Sequence, residues 1–264
     1  MTAELFTGLL RHDRAVVLGC LIAVIAASWA YLWFGAGLGM PAMDMGGGRM
    51  MAMPPLWTAG YAALIFLMWT VMMAAMMLPS AAPTVLLVAA LARRQPGAAG
   101  FTPATALVFA SGYLVVWFGF SLFATSLQWA LDRAGMLSQR MAIANAVLAG
   151  AVMIAAGLWQ WTPFKDTCLR HCRSPVAFLV GHWRPGIGGA AAIGMRHGLY
   201  CLGCCWMVMA LLFVAGLMNL AWVAAIALFV LFEKTMPWGG RTPRVTGALL
   251  ALWGLFGLVH ALYP

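Results

Sequence analysis

Long apolar runs separated by short polar segments dominate the chain from residue 15 onward. A helix needs about 20 apolar residues to cross the hydrocarbon core of a bilayer. Six runs approach or exceed that length, at residues 15–36, 56–78, 104–130, 141–161, 190–217 and 245–262, and a seventh, 220–232, is shorter. The pattern predicts an all-α, polytopic helical membrane protein with about seven transmembrane helices. The count falls to six if the fifth and sixth runs form a hairpin that does not cross fully.

The composition supports this class. Of the 264 residues, 64% are hydrophobic and 8% are charged, whereas a soluble domain carries about 25% charged residues. No segment is long and polar enough to form a separate soluble domain, so we expect a single integral membrane domain over residues 1–264. The formal charge of +9 is scattered between the apolar runs, which argues against nucleic-acid binding and leaves the lipid bilayer as the expected surroundings.

The basic residues predict an orientation. With the N-terminus inside, 12 of the 15 Lys and Arg residues fall on the inner side, and Arg49, Arg133 and Arg140 fall outside. Because cytoplasmic loops are enriched in Lys and Arg, we expect a cytoplasmic N-terminus in a bacterial inner membrane. The segment 37–55 is then a Met/Gly-rich outer loop, and 162–189 is a Cys/His loop on the cytoplasmic side.

Local signals mark the ends of two of the runs. Pro79 and Pro83 follow the second run, and we expect its helix to end there, since proline breaks a helix interior. Glu233 and Lys234 follow the sixth run, and we expect them to pair with each other or with lipid headgroups.

The candidate metal site is defined by the spacing of cysteine and histidine. Five of the six cysteines and three of the five histidines lie between residues 168 and 205. In a helix, side chains three or four residues apart share one face, and polar groups close to hydrocarbon are candidates for function because they are costly there. The candidate metal ligands are Cys168, His171, Cys172, His197, Cys201, Cys204 and Cys205.

Methionine supplies a second set of soft donors. Two rows of methionines, at spacings of four residues, line one face of the second run, and the outer loop 37–55 is also rich in methionine. Thiolate and thioether ligands favour Cu(I), zinc or an iron–sulfur cluster. We therefore expect copper, with zinc and an iron–sulfur cluster as alternatives. Packing is the other interpretation of the methionines. The candidate ligands in the second run are Met72, Met73, Met76 and Met77.

Three segments of the sequence resemble segments of a known protein family. They are Trp-Thr-Val-Met-Met-Ala-Ala-Met-Met-Leu-Pro at 69–79, Trp-Gln-Trp-Thr-Pro-Phe-Lys-Asp-Thr-Cys-Leu-Arg-His-Cys-Arg-Ser-Pro at 159–175, and Arg-His-Gly-Leu-Tyr-Cys-Leu-Gly-Cys-Cys-Trp at 196–206. The chain resembles a bacterial family of predicted metal-binding integral membrane proteins of unknown function. The resemblance covers about residues 56–259. It implies that the Cys/His segments bind metal and says little about a reaction.

These observations lead to one functional expectation and two alternatives. We expect metal handling: uptake, export, or delivery to a partner metalloenzyme. The first alternative is a membrane thiol–disulfide or electron-transfer protein, and the second is an accessory structural subunit of a membrane complex. The sequence predicts no catalytic residue, leaves enzyme activity open, and contains no Gly-rich phosphate loop for ATP-driven transport.

Overall fold

Helices make up nearly all of the described chain. The computed structural model describes residues 2–37, 42–44, 50–52, 56–93, 102–138, 140–184, 186–236 and 242–263. The helices are α1 Thr2–Trp33, α2 Ala59–Ala92, α3 Thr102–Arg133, α4 Ala146–Trp159, α5 Pro163–Arg173, α6 Pro175–His182, α7 Gly186–Ala210, α8 Leu212–Ala215, α9 Leu220–Thr235 and α10 Thr242–Leu262. The expectation of a helical fold is confirmed.

A pair of short strands is the exception. Strands β1 (Ala42–Asp44) and β2 (Met50–Ala52) pair antiparallel, with Ala42 opposite Ala52. They lie inside the Met/Gly-rich segment 37–55, for which the sequence predicted only a loop. The methionines at 40, 45 and 53, which belong to the Met/Gly-rich outer loop, lie outside the described residues.

Five helical segments are long and apolar enough to cross a membrane. The bent pair α4 and α5, whose axes differ by 65°, would make six, counted over the described residues only. The sequence expectation was about seven, or six. The difference arises because α4 has 14 residues and α9 has 16, each short of the ~20 needed for a straight crossing. The five segments are Ala15–Trp33, Ala59–Ala92, Pro103–Arg133, Gly186–Ala215 and Thr242–Leu262.

Helix α2 passes through both of its prolines. The expectation that Pro79 and Pro83 end this helix was wrong, since it continues to Ala92. Residues on both sides of the prolines are buried, among them Leu78 and Val85. A chain that left the helix in an apolar interior would leave several backbone N–H and C=O groups without hydrogen-bond partners. That costs more free energy than the loss of the hydrogen bonds that the prolines remove.

The predicted cytoplasmic loop 162–189 is also largely helical. Thr162 caps α5 by accepting a hydrogen bond from the Lys165 backbone amide at 3.3 Å, and Pro163 occupies the first turn, where its missing N–H is harmless. Helix α6 likewise has a proline, Pro175, in its first turn, but its N-cap residue Ser174 makes no side-chain cap hydrogen bond. The loop is therefore a short amphipathic helix, α5, followed by α6 and the start of α7.

Small residues let α3 and α7 approach closely. A Cβ built on Gly198 would lie 3.0 Å from the Tyr113 carbonyl oxygen, and one built on Gly194 would overlap the Phe109 carbonyl oxygen. Close approach through glycine is a common way to pack apolar helices. It fixes α7, which carries four of the seven Cys and His candidate ligands, against the backbone of α3.

Replacing Gly194 by alanine is therefore expected to lower stability by about 1–3 kcal/mol, because an added methyl must push the two helices apart. Gly188→Ala is the matched control on the same helix, since a Cβ there meets no atom within 4 Å. Thermal unfolding of both variants in the purification detergent measures the effect. Equal unfolding temperatures for the two variants would contradict the close packing.

Candidate metal site

The buried faces of α5 and α7 carry the predicted cysteines toward each other. Cys168 and Cys172 lie on the buried face of α5, together with Leu169. On α7, the candidate ligands are all buried, as the spacing of three and four residues indicated. The buried candidates on α7 are His197, Cys201, Cys204 and Cys205.

Four thiols meet between the two helices. The Cys172 side chain lies close enough to those of Cys201 and Cys204 to interact with them, and the Cys205 side chain lies close to the same two. We call Cys172, Cys201, Cys204 and Cys205 the thiol cluster. All four side chains are at most 8% exposed, and all are free thiols. The cluster joins a ligand from α5 to three from α7.

The thiols are held in a hydrogen-bonded arrangement. Cys204 and Cys205 donate to the Cys201 carbonyl oxygen at 3.1 and 2.9 Å, so their sulfur atoms turn back along α7. In the part of the chain that the structure describes, no group of three or more His, Cys, Asp or Glu side chains is already arranged to hold a metal ion. A metal ion held by these cysteines would need their side chains to rotate toward a common point.

Two polar residues from other helices contact Cys201, and a third contacts one of these two. The Lys234 ammonium of α9 donates to Cys201 Sγ at 2.8 Å and to Ser80 Oγ of α2 at 3.2 Å. The Tyr113 hydroxyl of α3 shares a hydrogen bond with Cys201 Sγ at 2.9 Å. All three side chains are buried. Sequence reasoning did not select them, and the one available signal was a lysine at the end of an apolar run.

His197 lies one turn before Cys201 in an aromatic setting. Its ring centroid lies 5.2 Å from Phe178, 5.7 Å from Tyr113 and 5.9 Å from Phe109. The side chain is 3% exposed, and its Nδ1 has no hydrogen-bond partner among the residues that the structure describes. A buried imidazole nitrogen without a partner is uncommon. The ring of His197 therefore presents an additional nitrogen, next to the thiol cluster, that is available to bind a metal ion.

Cys168 and His171 do not join the thiol cluster. Cys168 packs against α7, where a Cβ on Gly203 would lie 2.8 Å from its sulfur. The His171 ring stacks on Tyr200, with centroids 4.2 Å apart and planes within 2°, and its Nδ1 lies 2.8 Å from the Thr167 carbonyl oxygen. Of the predicted ligands in α5, Cys172 contacts two of the α7 thiols, and Cys168 lies at the edge of the cluster, near Cys204.

The predicted methionines form a buried column along α2. Met72, Met73, Met76 and Met77 are at most 1% exposed. At one end, Tyr113 donates to the Met77 carbonyl oxygen at 3.3 Å while it also contacts Cys201. The column therefore begins at the level of the thiol cluster.

The other end of the column is closed by aromatic side chains. The rings of Trp69 and Phe213 lie 5.2 Å apart, and Trp69 Nε1 donates to Gln128 Oε1 at 2.7 Å. From Ser80 to Trp69, α2 rises about 16 Å at 1.5 Å per residue. The methionine side chains fill the interior between the thiol cluster and this aromatic end. This position suits both packing and a path for metal ions.

A buried ion pair ties α5 to α9. Lys165 Nζ lies 2.8 Å from Glu233 Oε1 and 2.9 Å from Oε2, and both side chains are 0% exposed. Lys165 also donates to Gln160 Oε1, and Arg173 Nε donates to the Glu233 carbonyl oxygen at 2.8 Å. The expectation that Glu233 and Lys234 pair with each other or with lipid headgroups was wrong, because adjacent helical residues point about 100° apart and both side chains are buried.

The geometry defines a class of protein: an apolar helical chain whose interior holds soft sulfur donors beside a fixed positive charge. Such donors suit soft transition metals. The chain belongs to the PpoB2 copper chaperone family, whose model matches residues 66–257. The matched range contains every predicted ligand and excludes the segment 37–55. No curated protein and no solved structure matches the chain. The expected metal-binding relationship is confirmed as a copper-related one.

Proposed function

We propose that this protein is an integral membrane copper chaperone that takes Cu(I) as its cargo at the thiol cluster and passes it to a partner metalloenzyme. The observation that carries the proposal is the meeting of four free, buried thiols from two helices. Thiolates are the ligands that Cu(I) favours. The membership in a copper chaperone family supports copper as the ion.

The residues fit such an ion on chemical grounds. The thiol cluster offers soft sulfur donors, while the Glu233 carboxylate near Cys204 is paired with Lys165, and the Nδ1 of His197, which has no partner among the described residues, adds a nitrogen. The burial of these donors excludes water, which protects thiols and Cu(I) from oxidation. We assign the cluster as the binding site, His197 as an auxiliary ligand, and Cys168 as a bystander that packs beside it.

The methionine column gives the cargo a route. Thioethers bind Cu(I) and resist oxidation better than thiols, so they suit the oxidising side of a membrane. We propose that copper passes along Met77, Met76, Met73 and Met72 between the thiol cluster and the end closed by Trp69. With a cytoplasmic N-terminus, as the 12 to 3 distribution of basic residues favours, the thiol cluster lies toward the cytoplasm of the inner membrane.

The test of this function is metal loading. Protein purified without metal is loaded anaerobically with Cu(I) against a competing chelator, and bound metal is measured by mass spectrometry. We expect about one tightly bound copper per chain, lost in Cys201→Ala/Cys204→Ala and retained in Cys20→Ala, because Cys20 is an exposed thiol on α1. Equal copper in all three proteins, or none in the wild type, would overturn the proposal.

A second candidate function rests on the same proximity of thiols. Cys172 lies within reach of Cys201 and Cys204, so a disulfide could form with loss of two electrons and two protons to a disulfide or quinone oxidant. Titration of free thiols before and after oxidation separates this candidate from copper binding. A reversible loss of two thiols without bound metal would favour redox exchange.

A further inference from the structure

Lys234 is the one lysine whose ammonium lies at the thiol cluster. Its Nζ donates to Cys201 Sγ at 2.8 Å and to Ser80 Oγ at 3.2 Å, and these are its two hydrogen-bond partners in the part of the chain described. The side chain is 6% exposed. The neighbouring carboxylate of Glu233 is turned to Lys165, so it does not neutralise Lys234.

A buried lysine paired with a thiol and a hydroxyl needs an explanation. Burying a charge without a counter-charge is expensive, and an apolar residue of similar volume would avoid the expense. The other buried lysine, Lys165, has both Glu233 oxygens within 2.9 Å. The contrast between the two lysines leaves the Cys201 sulfur, 2.8 Å from the ammonium, as the group that can balance the charge of Lys234.

Charge balance shows which ion suits this pair. A complex of Cu(I) with two thiolates has a net charge of −1, whether each thiol lost its proton to solvent before the ion bound or on binding. The Lys234 ammonium brings the buried total to zero. A divalent ion bound by the same two thiolates is already neutral, so with Lys234 the total becomes +1, which is costly in a low-dielectric interior.

We propose that Lys234 is the counter-charge of the loaded site and sets its preference for a monovalent ion held by two thiolates. This inference rests on the proposed function, because it assumes that the thiol cluster is where copper binds. Lys234 is a positioning and specificity residue. It touches the ligand Cys201 and acts on the ion through charge.

The experiment compares a monovalent with a divalent ion that both favour two thiolates. Affinities for Ag(I), as a redox-inert stand-in for Cu(I), and for Hg(II) are measured by competition in a Cys20→Ala background. In Lys234→Met, we expect Ag(I) binding to weaken about 100-fold, as for one half of a buried charge pair, and Hg(II) binding to stay the same or strengthen, because the neutral Hg(II) dithiolate no longer lies beside an excess positive charge. The ratio of the two affinities is the readout.

Further variants separate charge from structural damage. Lys234→Gln removes the charge but keeps an amide donor for Ser80 and Cys201, so it tests the same ratio if the methionine variant does not fold. Lys234→Arg keeps the charge and should keep the wild-type ratio. Arg133→Gln removes a charge about 30 Å along α3 from Tyr113, at 1.5 Å per residue, and should change neither affinity.

The outcomes distinguish this inference from the proposed function. If wild type binds Ag(I) through the thiol cluster and Lys234→Met or Lys234→Gln weakens both ions equally, or neither, the counter-charge role is wrong and the copper site stands. If wild type shows no thiol-dependent binding of Ag(I) or Cu(I), the proposed function fails first. A selective loss of Ag(I) affinity in the uncharged variants supports both.

Discussion

Replacing Glu233 by leucine is expected to lower the free energy of unfolding by about 3–5 kcal/mol, because it leaves one charge of a buried ion pair without its partner. The stranded group is the Lys165 ammonium, which is 0% exposed and has both Glu233 carboxylate oxygens within 2.9 Å. Gln160 accepts a hydrogen bond from the same ammonium but carries no charge. Thermal or denaturant unfolding in detergent measures the loss.

The double variant Lys165→Met/Glu233→Leu is the decisive control. Removing both charges exchanges the pair for apolar side chains of similar volume, which is often neutral or stabilising. We therefore expect the double variant to recover most of the stability that Glu233→Leu loses. If the double variant is as unstable as the single one, the damage comes from packing around Glu233, and the ion pair is not the cause.

The ion pair also bears on the copper site. Lys165 precedes Cys172 by seven residues, about two turns, on α5, and Arg173 beside Cys172 donates to the Glu233 carbonyl oxygen at 2.8 Å. These contacts to α9 hold α5 at the height where Cys172 meets the α7 thiols. Glu233→Leu should therefore weaken Cu(I) binding as well as the fold, and the double variant should restore much of both.

Part of this arrangement was predictable from the sequence. The periodicity of apolar runs predicted most helices, because helix formation depends on local spacing. Spacing alone also indicated that Cys201, Cys204 and Cys205 share a face. Helix α2 was predicted too short, since the rule that proline ends helices ignores how costly it is to leave a helix in an apolar interior.

The partners of the charged residues could not be predicted in the same way. Glu233 pairs with Lys165, 68 residues earlier in the chain, and Lys234 reaches Ser80, 154 residues earlier. Such contacts depend on how α2, α5 and α9 pack, which no local pattern encodes. Likewise, the spacing of Cys168 and Cys172 put both on one face, and only the tertiary packing shows that Gly203 lies opposite Cys168.

The placement of Gly203 leads to the second large effect. Cys172→Ser is expected to weaken Cu(I) binding by about 100-fold or more. Removing a residue that only supports a metal ligand typically weakens metal binding 10–100-fold, and removing the ligand itself should weaken it at least as much. Cys168→Ser on the same helix is the matched variant. Its sulfur packs against Gly203, outside the thiol cluster, so we expect less than a tenfold loss.

Competition titrations of both variants with an anaerobic Cu(I) chelator measure this difference. Serine is nearly isosteric with cysteine, and both side chains are buried on α5, so a general loss of folding would affect the two variants alike. Similar losses at both positions would place copper between Cys168 and Cys204, one turn of α5 earlier. A loss at Cys172 alone would mean that copper binding joins α5 to α7, so that release of the ion requires these two helices to loosen.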